Sequence, residues 1–247
     1  MHSGKYRTPK AYRTLFQGVE DQLYAGEASH YLYHPGTAEL IYEYNPCSKI
    51  IISLRNPVDR IYSEYLLYVR QQRITISFDK FITSQLTYNK KEKIWDLLPG
   101  NRLVKGFYSQ LIPKWLEYFG KENVIIVYFD DLVQNPALFC HQLYTSLGVD
   151  TTFRATSIHA QAGGKVTFPS LFNMIGRNYT IKHIIKPLLP RLLRVKMRGY
   201  FYQFFLQKEP MSPQTRKILH DVYFEEILQL EQLLLKDLSQ WKHPNQS

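Results

Sequence analysis

Two short runs of β-branched residues constrain this chain more than any other feature. Lys49-Ile50-Ile51-Ile52-Ser53-Leu54 and Val124-Ile125-Ile126-Val127-Tyr128-Phe129 are apolar at successive positions, not alternate ones. A strand with one wet face alternates, whereas a strand covered on both faces does not have to. The second situation is that of a parallel sheet between helix layers. A third run, Leu23-Tyr24-Ala25 ending at Gly26, reads as another strand.

Helical periodicity fills the intervals. Val58, Ile61, Tyr62, Tyr65, Leu66 and Val69 recur as one apolar stripe, and Tyr108, Leu111, Ile112, Trp115, Leu116 and Phe119 repeat the spacing before Gly120 stops the helix. Pro136 opens a helix that runs to Gly148, and Ser212-Pro213 caps and begins a long helix carrying Leu219, Tyr223, Ile227, Leu230 and Leu234. Strands alternating with helices predict an α/β fold with a mainly parallel sheet flanked by helices.

Composition limits the partners. Apolar residues make up 45% of 247 residues, enough for a substantial core, and the formal charge is +10. That excess attracts phosphates and other anions but says nothing about fold. Nucleic-acid binding has only the net charge behind it, with no recognised motif, and is not expected. Cys47 and Cys140 are too few for a disulfide framework or a structural zinc site, so no metal and a reducing, cytoplasmic location are expected. No signal peptide or membrane span is legible.

The richest junction is Leu54-Arg55-Asn56-Pro57-Val58-Asp59-Arg60. A buried strand ends and a helix starts at once, with Asn56 as N-cap and Pro57 in the first turn. In open α/β sheets, ligands bind beyond the carboxyl ends of strands, where helix N-termini favour anions. Arg55 stands there with a planar fork suited to phosphate oxygens. Asn56, Arg60 and Ser63 are spaced to share the face opposite the apolar stripe, so Arg55 and Ser63 can grip one phosphate. The alternative is an ordinary capped helix whose Arg55 is paired with a nearby acid.

A resemblance separates these readings. Arg55-Asn56-Pro57-Val58-Asp59-Arg60-Ile61-Tyr62-Ser63-Glu64-Tyr65 is similar to the Arg-Asn-Pro-x-x-Arg-x-x-Ser-x-Tyr motif of sulfotransferases that use 3′-phosphoadenosine 5′-phosphosulfate (PAPS). Other segments agree in order: Gly26-Glu27-Ala28-Ser29 with Tyr31-Leu32; Gly106-Phe107-Tyr108 with Leu111 and Trp115; Tyr128 to Leu132 with Asn135-Pro136; and Leu233 to Trp241. The likeness covers nearly the whole chain and resembles the bacterial glycan-type branch, related to heparan sulfate sulfotransferases. It implies a P-loop-NTPase-like three-layer fold in a single domain over residues 1–247. It also implies that Arg55 and Ser63 contact the 3′-phosphate, with a glycan, lipid or small molecule accepting the sulfuryl group on a hydroxyl or amine.

Two departures qualify this. The family opens with a strand and a Lys-x-Gly-Thr-Thr-like loop that cradles the phosphosulfate, followed by a Glu that serves as base. Nothing of the kind precedes Gly26, so the domain is expected to be incomplete at its N-terminus, lacking its first strand and P-loop. Glycosaminoglycan-modifying relatives often carry Lys at the position of Ala28. Catalytic residues therefore stay unassigned, with Glu27, His30 and His34 as nearby titratable candidates. The alternative function is a catalytically impaired nucleotide-binding or membrane-associated relative.

Two further segments draw notice. Gly163-Gly164-Lys165 matches in position a loop that closes over the nucleotide in relatives, and two glycines let backbone N–H groups approach a phosphate; the alternative is a plain surface loop. From Arg177 to Lys208 there are eight Lys and Arg and no acid, interleaved with apolar residues. This basic apolar segment, residues 177–208, reads either as core-packing helices with a solvated basic face or as a peripheral contact with an anionic inner-membrane surface.

Overall fold

The computed structural model describes residues 8–71, 73–89, 92, 94–98, 100–154, 165–166, 206–207 and 210–242. Its elements run α1 (Pro9–Arg13), α2 (Thr37–Tyr44), β1 (Ile50–Leu54), α3 (Pro57–Arg70), α4 (Phe78–Thr83), β2 (Leu86–Asn89), β3 (Ile94–Leu97), α5 (Tyr108–Phe119), β4 (Val124–Tyr128), α6 (Phe129–Gln134), α7 (Pro136–Leu147), β5 (Lys165–Val166), β6 (Leu206–Gln207) and α8 (Pro213–Leu234). The basic segment 177–208 lies outside the described residues except for β6.

The expected parallel pairing is present. β1 and β4 run parallel in register, from Ile50 opposite Val124 to Leu54 opposite Tyr128. Ile52 and Leu54 point into the core, where they meet Val58 and Ile61 of α3, Ile112 and Trp115 of α5, and Leu219, Tyr223 and Ile227 of α8. On β4, Ile126 and Tyr128 pack against this core. Ile125 and Val127, with Phe139 and Leu143 of α7, line a separate cavity of about 220 Å³. The chain is thus an α/β protein with a parallel sheet flanked by helices.

Local chemistry sets the helix ends. Asn56 Oδ1 accepts from the Val58 N–H at 3.0 Å and Pro57 occupies the first turn of α3. Gly120 ends α5 at φ 71°, where a side chain would be strained. Asn135 caps α7 and left-handed Gly148 closes it. Ser212 Oγ accepts from the Thr215 N–H at 3.2 Å and donates to Asp79 of α4 at 2.8 Å, fixing the start of α8.

Two sequence expectations need correction. Leu23-Tyr24-Ala25 is not a strand. Among the described residues no strand pairs with it, and Leu23 is 69% exposed, so the run has neither ladder nor core to hold it. Nor is β1 covered on both faces by the described residues: Ile51 is 47% exposed and Ser53 is also exposed.

An unanticipated antiparallel hairpin joins β2 and β3, with Leu86 opposite Leu97 and Tyr88 opposite Trp95. Leu86, Ile82 and Phe81 are buried, which roots the hairpin and α4 in the core. Among the described residues no helix is long and apolar enough to cross a membrane.

Candidate functional site

Arg55 follows the last residue of β1, and its surroundings come from three distant parts of the chain. Tyr108 at the start of α5 donates its hydroxyl to the Arg55 carbonyl at 3.2 Å. The Arg55 guanidinium carbon lies 4.6 Å from the ring centroid of Phe129, which follows β4. The neighbouring Asp130 accepts from Trp241 Nε1 at 2.6 Å, and Trp241 is buried. Among the described residues no carboxylate lies in ion-pair range of Arg55. Among the described residues, the capped-helix alternative is met in its cap and not in its salt bridge.

Ser63 is exposed on α3, two turns beyond the N-cap. The expected shared polar face is only partly realised. Asn56 is buried as the cap, and Arg60 turns inward instead of facing solvent. Its Nη1 pairs with Glu64 at 2.8 Å and its Nη2 donates to the Arg102 carbonyl at 3.2 Å.

Glu64 gathers more than Arg60. Its Oε1 accepts from Lys105 Nζ and from the Tyr68 hydroxyl, both at 2.9 Å, and Arg102 Nη1 approaches to 3.7 Å. Burial pushes the Glu64 carboxyl up, but the hydrogen bond from Lys105 and the charge and hydrogen bond of Arg60 outweigh it and hold the group below its ordinary range. Three cations around one carboxylate leave this side of α3 positive. Sequence reading missed the cluster because its members come from α3 and from the turn before α5.

Gly106 precedes Tyr108 and packs against α8. A Cβ there would stand 2.7 Å from Cε1 of Tyr223. Tyr223 is fully buried and donates its hydroxyl to the Leu103 carbonyl at 2.8 Å. A residue with no side chain is what lets α8 approach this turn. At the next turn, buried Glu226 of α8 accepts from the Ser109 N–H at 2.7 Å and from Ser109 Oγ at 2.6 Å. It thereby satisfies donors at the N-terminus of α5. Burial raises its pKa, with the hydrogen bonds from Ser109 opposing.

The weaker sequence candidates lie together on the segment before α2. Glu27 is half-buried and accepts from Ser29 Oγ at 2.7 Å, and it also reaches Tyr31, whose pKa is raised by burial and by that hydrogen bond. His30 is exposed and stacks on Tyr33, with centroids 6.3 Å apart, and His34 is exposed. Gly163 and Gly164 lie outside the described residues. Lys165 is described only as backbone in β5, which pairs with β6 and lies beside α3.

A parallel α/β sheet with a basic residue at a strand end, beside a helix N-terminus and an aromatic ring, is the frame of a P-loop-like protein. Comparison makes this specific. The model described as "Sulfotransferase domain" matches residues 28–162, more than half of the chain, and the protein belongs to the sulfotransferase family. Over 125 residues it is 26% identical to carbohydrate sulfotransferase 15 of Mus musculus, covering 46% of this chain and 22% of that one. Over 111 residues it is 31% identical to the bifunctional heparan sulfate N-deacetylase/N-sulfotransferase 2 of Bos taurus, covering 42% and 12%. The matched part thus spans less than a quarter of either curated relative. The crystal structure of a sulfotransferase from Alicyclobacillus acidocaldarius superposes with a TM-score of 0.65 at 27% identity, covering 96% of this chain and 75% of that one.

Proposed function

We propose that this protein is a PAPS-dependent sulfotransferase in which Arg55 and Ser63 hold the 3′-phosphate of the nucleotide. The acceptor is a hydroxyl or amine of a glycan, lipid or small molecule. The observation that carries the reading is Arg55 itself: a half-buried guanidinium at a strand end, pinned through its carbonyl by Tyr108 and seated on Phe129, with no acid among the described residues to neutralise it. Such a group fits a phosphate: the fork supplies parallel donors, and Ser63 on the following helix supplies a hydroxyl. The position of β5 beside α3 supports a role for the Gly163-Gly164-Lys165 segment in covering the same nucleotide.

The chemistry sets what these residues do. Sulfuryl transfer, like phosphoryl transfer, is an in-line displacement in which charge grows on the departing phosphate. A grip on the ribose phosphate, remote from the transferred group, orients the donor and lends binding energy to positioning. PAPS supplies the activated sulfuryl group, and Arg55 and Ser63 fix the adenosine end from which it departs.

Thermal unfolding with 3′,5′-adenosine bisphosphate tests the assignment. Ligand at 100 times its dissociation constant adds about 2.7 kcal/mol of stability. A hundredfold weaker Arg55→Ala variant at the same concentration would retain only about 0.4 kcal/mol. Ser63→Ala should reduce the shift, and Lys121→Ala on the exposed turn after α5 should leave it unchanged. An equal shift in Arg55→Ala and the unmodified protein would remove the assignment.

A further inference from the structure

α5 begins without a cap of its own. Phe107 stands at the N-cap and offers no side-chain acceptor, and no acid occupies the first turn. The leading N–H groups of the helix therefore need an acceptor from elsewhere, and its positive dipole end attracts a negative charge. Both come from one residue of α8, 117 positions away. Buried Glu226 accepts from the Ser109 N–H, from Ser109 Oγ and from the Tyr108 N–H. Among the described residues no Lys or Arg pairs with it, so the helix end supplies the opposite charge. Burying a carboxylate without a cation costs free energy. A polar N-cap residue would satisfy such donors from within the helix. The observed arrangement does something a local cap does not: it fixes the start of α5 to α8.

What that start carries is Tyr108, the first residue of α5 and 1% exposed. Its hydroxyl crosses to the end of β1 and donates to the Arg55 carbonyl at 3.2 Å. A hydroxyl bond of that length is already stretched, so a small displacement of the helix start is enough to break it. The carbonyl is one anchor of Arg55, and the Phe129 ring, 4.6 Å from the guanidinium carbon, is another. α8 bears on this corner at other levels too. Arg216 reaches Asp59 in the first turn of α3 at 3.4 Å, and Tyr223 donates to the Leu103 carbonyl in the turn before α5.

We propose that Glu226 is a positioning residue for nucleotide binding. It fixes the start of α5, Tyr108 carries that position to the Arg55 backbone, and the guanidinium is thereby held where a phosphate can reach it. The inference rests on the reading of Arg55 as the 3′-phosphate contact and deepens it. It gives α8 a share in nucleotide affinity, although Glu226 acts through Tyr108 and touches no ligand itself.

Calorimetric titration of the full chain with 3′,5′-adenosine bisphosphate at neutral pH tests this. Tyr108→Phe removes only the hydroxyl, and Glu226→Gln keeps the size while removing the charge and one acceptor. Each should weaken binding by about threefold to tenfold, the worth of one hydrogen bond. Together they should weaken it no further than the stronger single change, because both act through one bond, whereas independent effects would multiply. In an Arg55→Ala background neither should alter the residual affinity. Asn135→Ala removes the cap of α7, a bond of 3.0 Å, and so lowers stability without touching this corner. It should bind as the unmodified chain does, which separates affinity from stability. Ser109→Ala, which takes one donor from Glu226, serves in place of Glu226→Gln should that variant not fold, and should also weaken binding. Tyr108→Phe and Glu226→Gln binding normally while Arg55→Ala is weakened, or the two changes multiplying, or Asn135→Ala weakening binding equally, would overturn the positioning role. Arg55→Ala binding as the unmodified chain does would remove the nucleotide assignment itself, and the positioning role with it.

Discussion

Replacing Gly106 by alanine adds one methyl at the point where the turn before α5 meets α8, and the structure fixes what that methyl encounters. It would sit 2.7 Å from Cε1, 2.8 Å from the hydroxyl and 2.9 Å from Cζ of Tyr223, all well inside van der Waals contact. The ring has nowhere to go: Tyr223 is fully buried, tilted against Phe107 with centroids 5.3 Å apart, and tied by its hydroxyl to the Leu103 carbonyl. Overpacking of this kind costs about 1–3 kcal/mol. If the ring shifts far enough to break its hydrogen bond, an unsatisfied buried group adds about 1–3 kcal/mol. Against this, Gly106 is not in the left-handed region, so alanine costs no backbone strain and gains about 0.4–1 kcal/mol by restricting the unfolded chain. The net expectation is a loss of about 2 kcal/mol, read by urea unfolding, or a fall in Tm of about 4–8 °C. Because Gly106 leads directly into Tyr108, which holds Arg55, affinity for 3′,5′-adenosine bisphosphate should fall as well. The decisive control is Tyr223→Leu, which removes the ring: in that background Gly106→Ala should be neutral within about 0.5 kcal/mol. A Gly106→Ala variant as stable as the parent, or one equally damaged with and without the ring, would refute the reasoning.

Two other perturbations test the scaffold of the same site. The buried Glu226 carboxyl has its pKa raised by desolvation, so between its unfolded and folded values the native state holds a proton that the unfolded chain releases. Its contribution to stability therefore falls as pH rises above about 4.3, and Glu226→Gln should flatten that part of a pH–stability curve measured by chemical denaturation. Trp241→Phe keeps the ring but removes the indole donor to Asp130, which should cost about 1.5–3 kcal/mol as a hydrogen bond to a charged group. A double-mutant cycle with Asp130→Asn isolates that coupling in urea melts.

Much of the fold was legible where a single residue type decides local geometry. Asn56-Pro57, Gly120, Asn135-Pro136, Gly148 and Ser212-Pro213 mark helix ends in the sequence and stand at helix ends in the structure. The β-branched runs gave β1 and β4, but which residues face each other across them appears only in the structure. Leu23-Tyr24-Ala25 misled because three apolar residues cannot announce whether a neighbouring strand exists, and strand formation depends on that neighbour. The β2–β3 hairpin was invisible for a related reason: its stability comes from Leu86, Phe81 and Ile82 entering the core, a long-range fact.

At the site, Arg55 could be picked out from the strand–helix seam, but its neighbours could not. That Tyr108 would pin its carbonyl, that Phe129 would carry its guanidinium and that Arg60 would fold back onto Glu64 are outcomes of tertiary packing. The cleft between the β2–β3 hairpin and α8 was hidden in the same way, since Tyr88 and Trp95 become neighbours only when the hairpin forms and meet Gln214 and Asp221 only when α8 docks.

The bond from Trp241 to Asp130 joins residues 111 positions apart. The residue beside the aromatic seat of Arg55 is therefore tied down by a contact between distant parts of the chain. Such contacts are slow to form, because the loop they close must be ordered before they repay it. A partly folded chain can already have its β1–α3 corner and still lack the seat of Arg55. If Arg55 holds a nucleotide as proposed, binding is among the last properties the protein acquires as it matures, and nucleotide retention would serve as a sensitive gauge of whether a given molecule has finished folding.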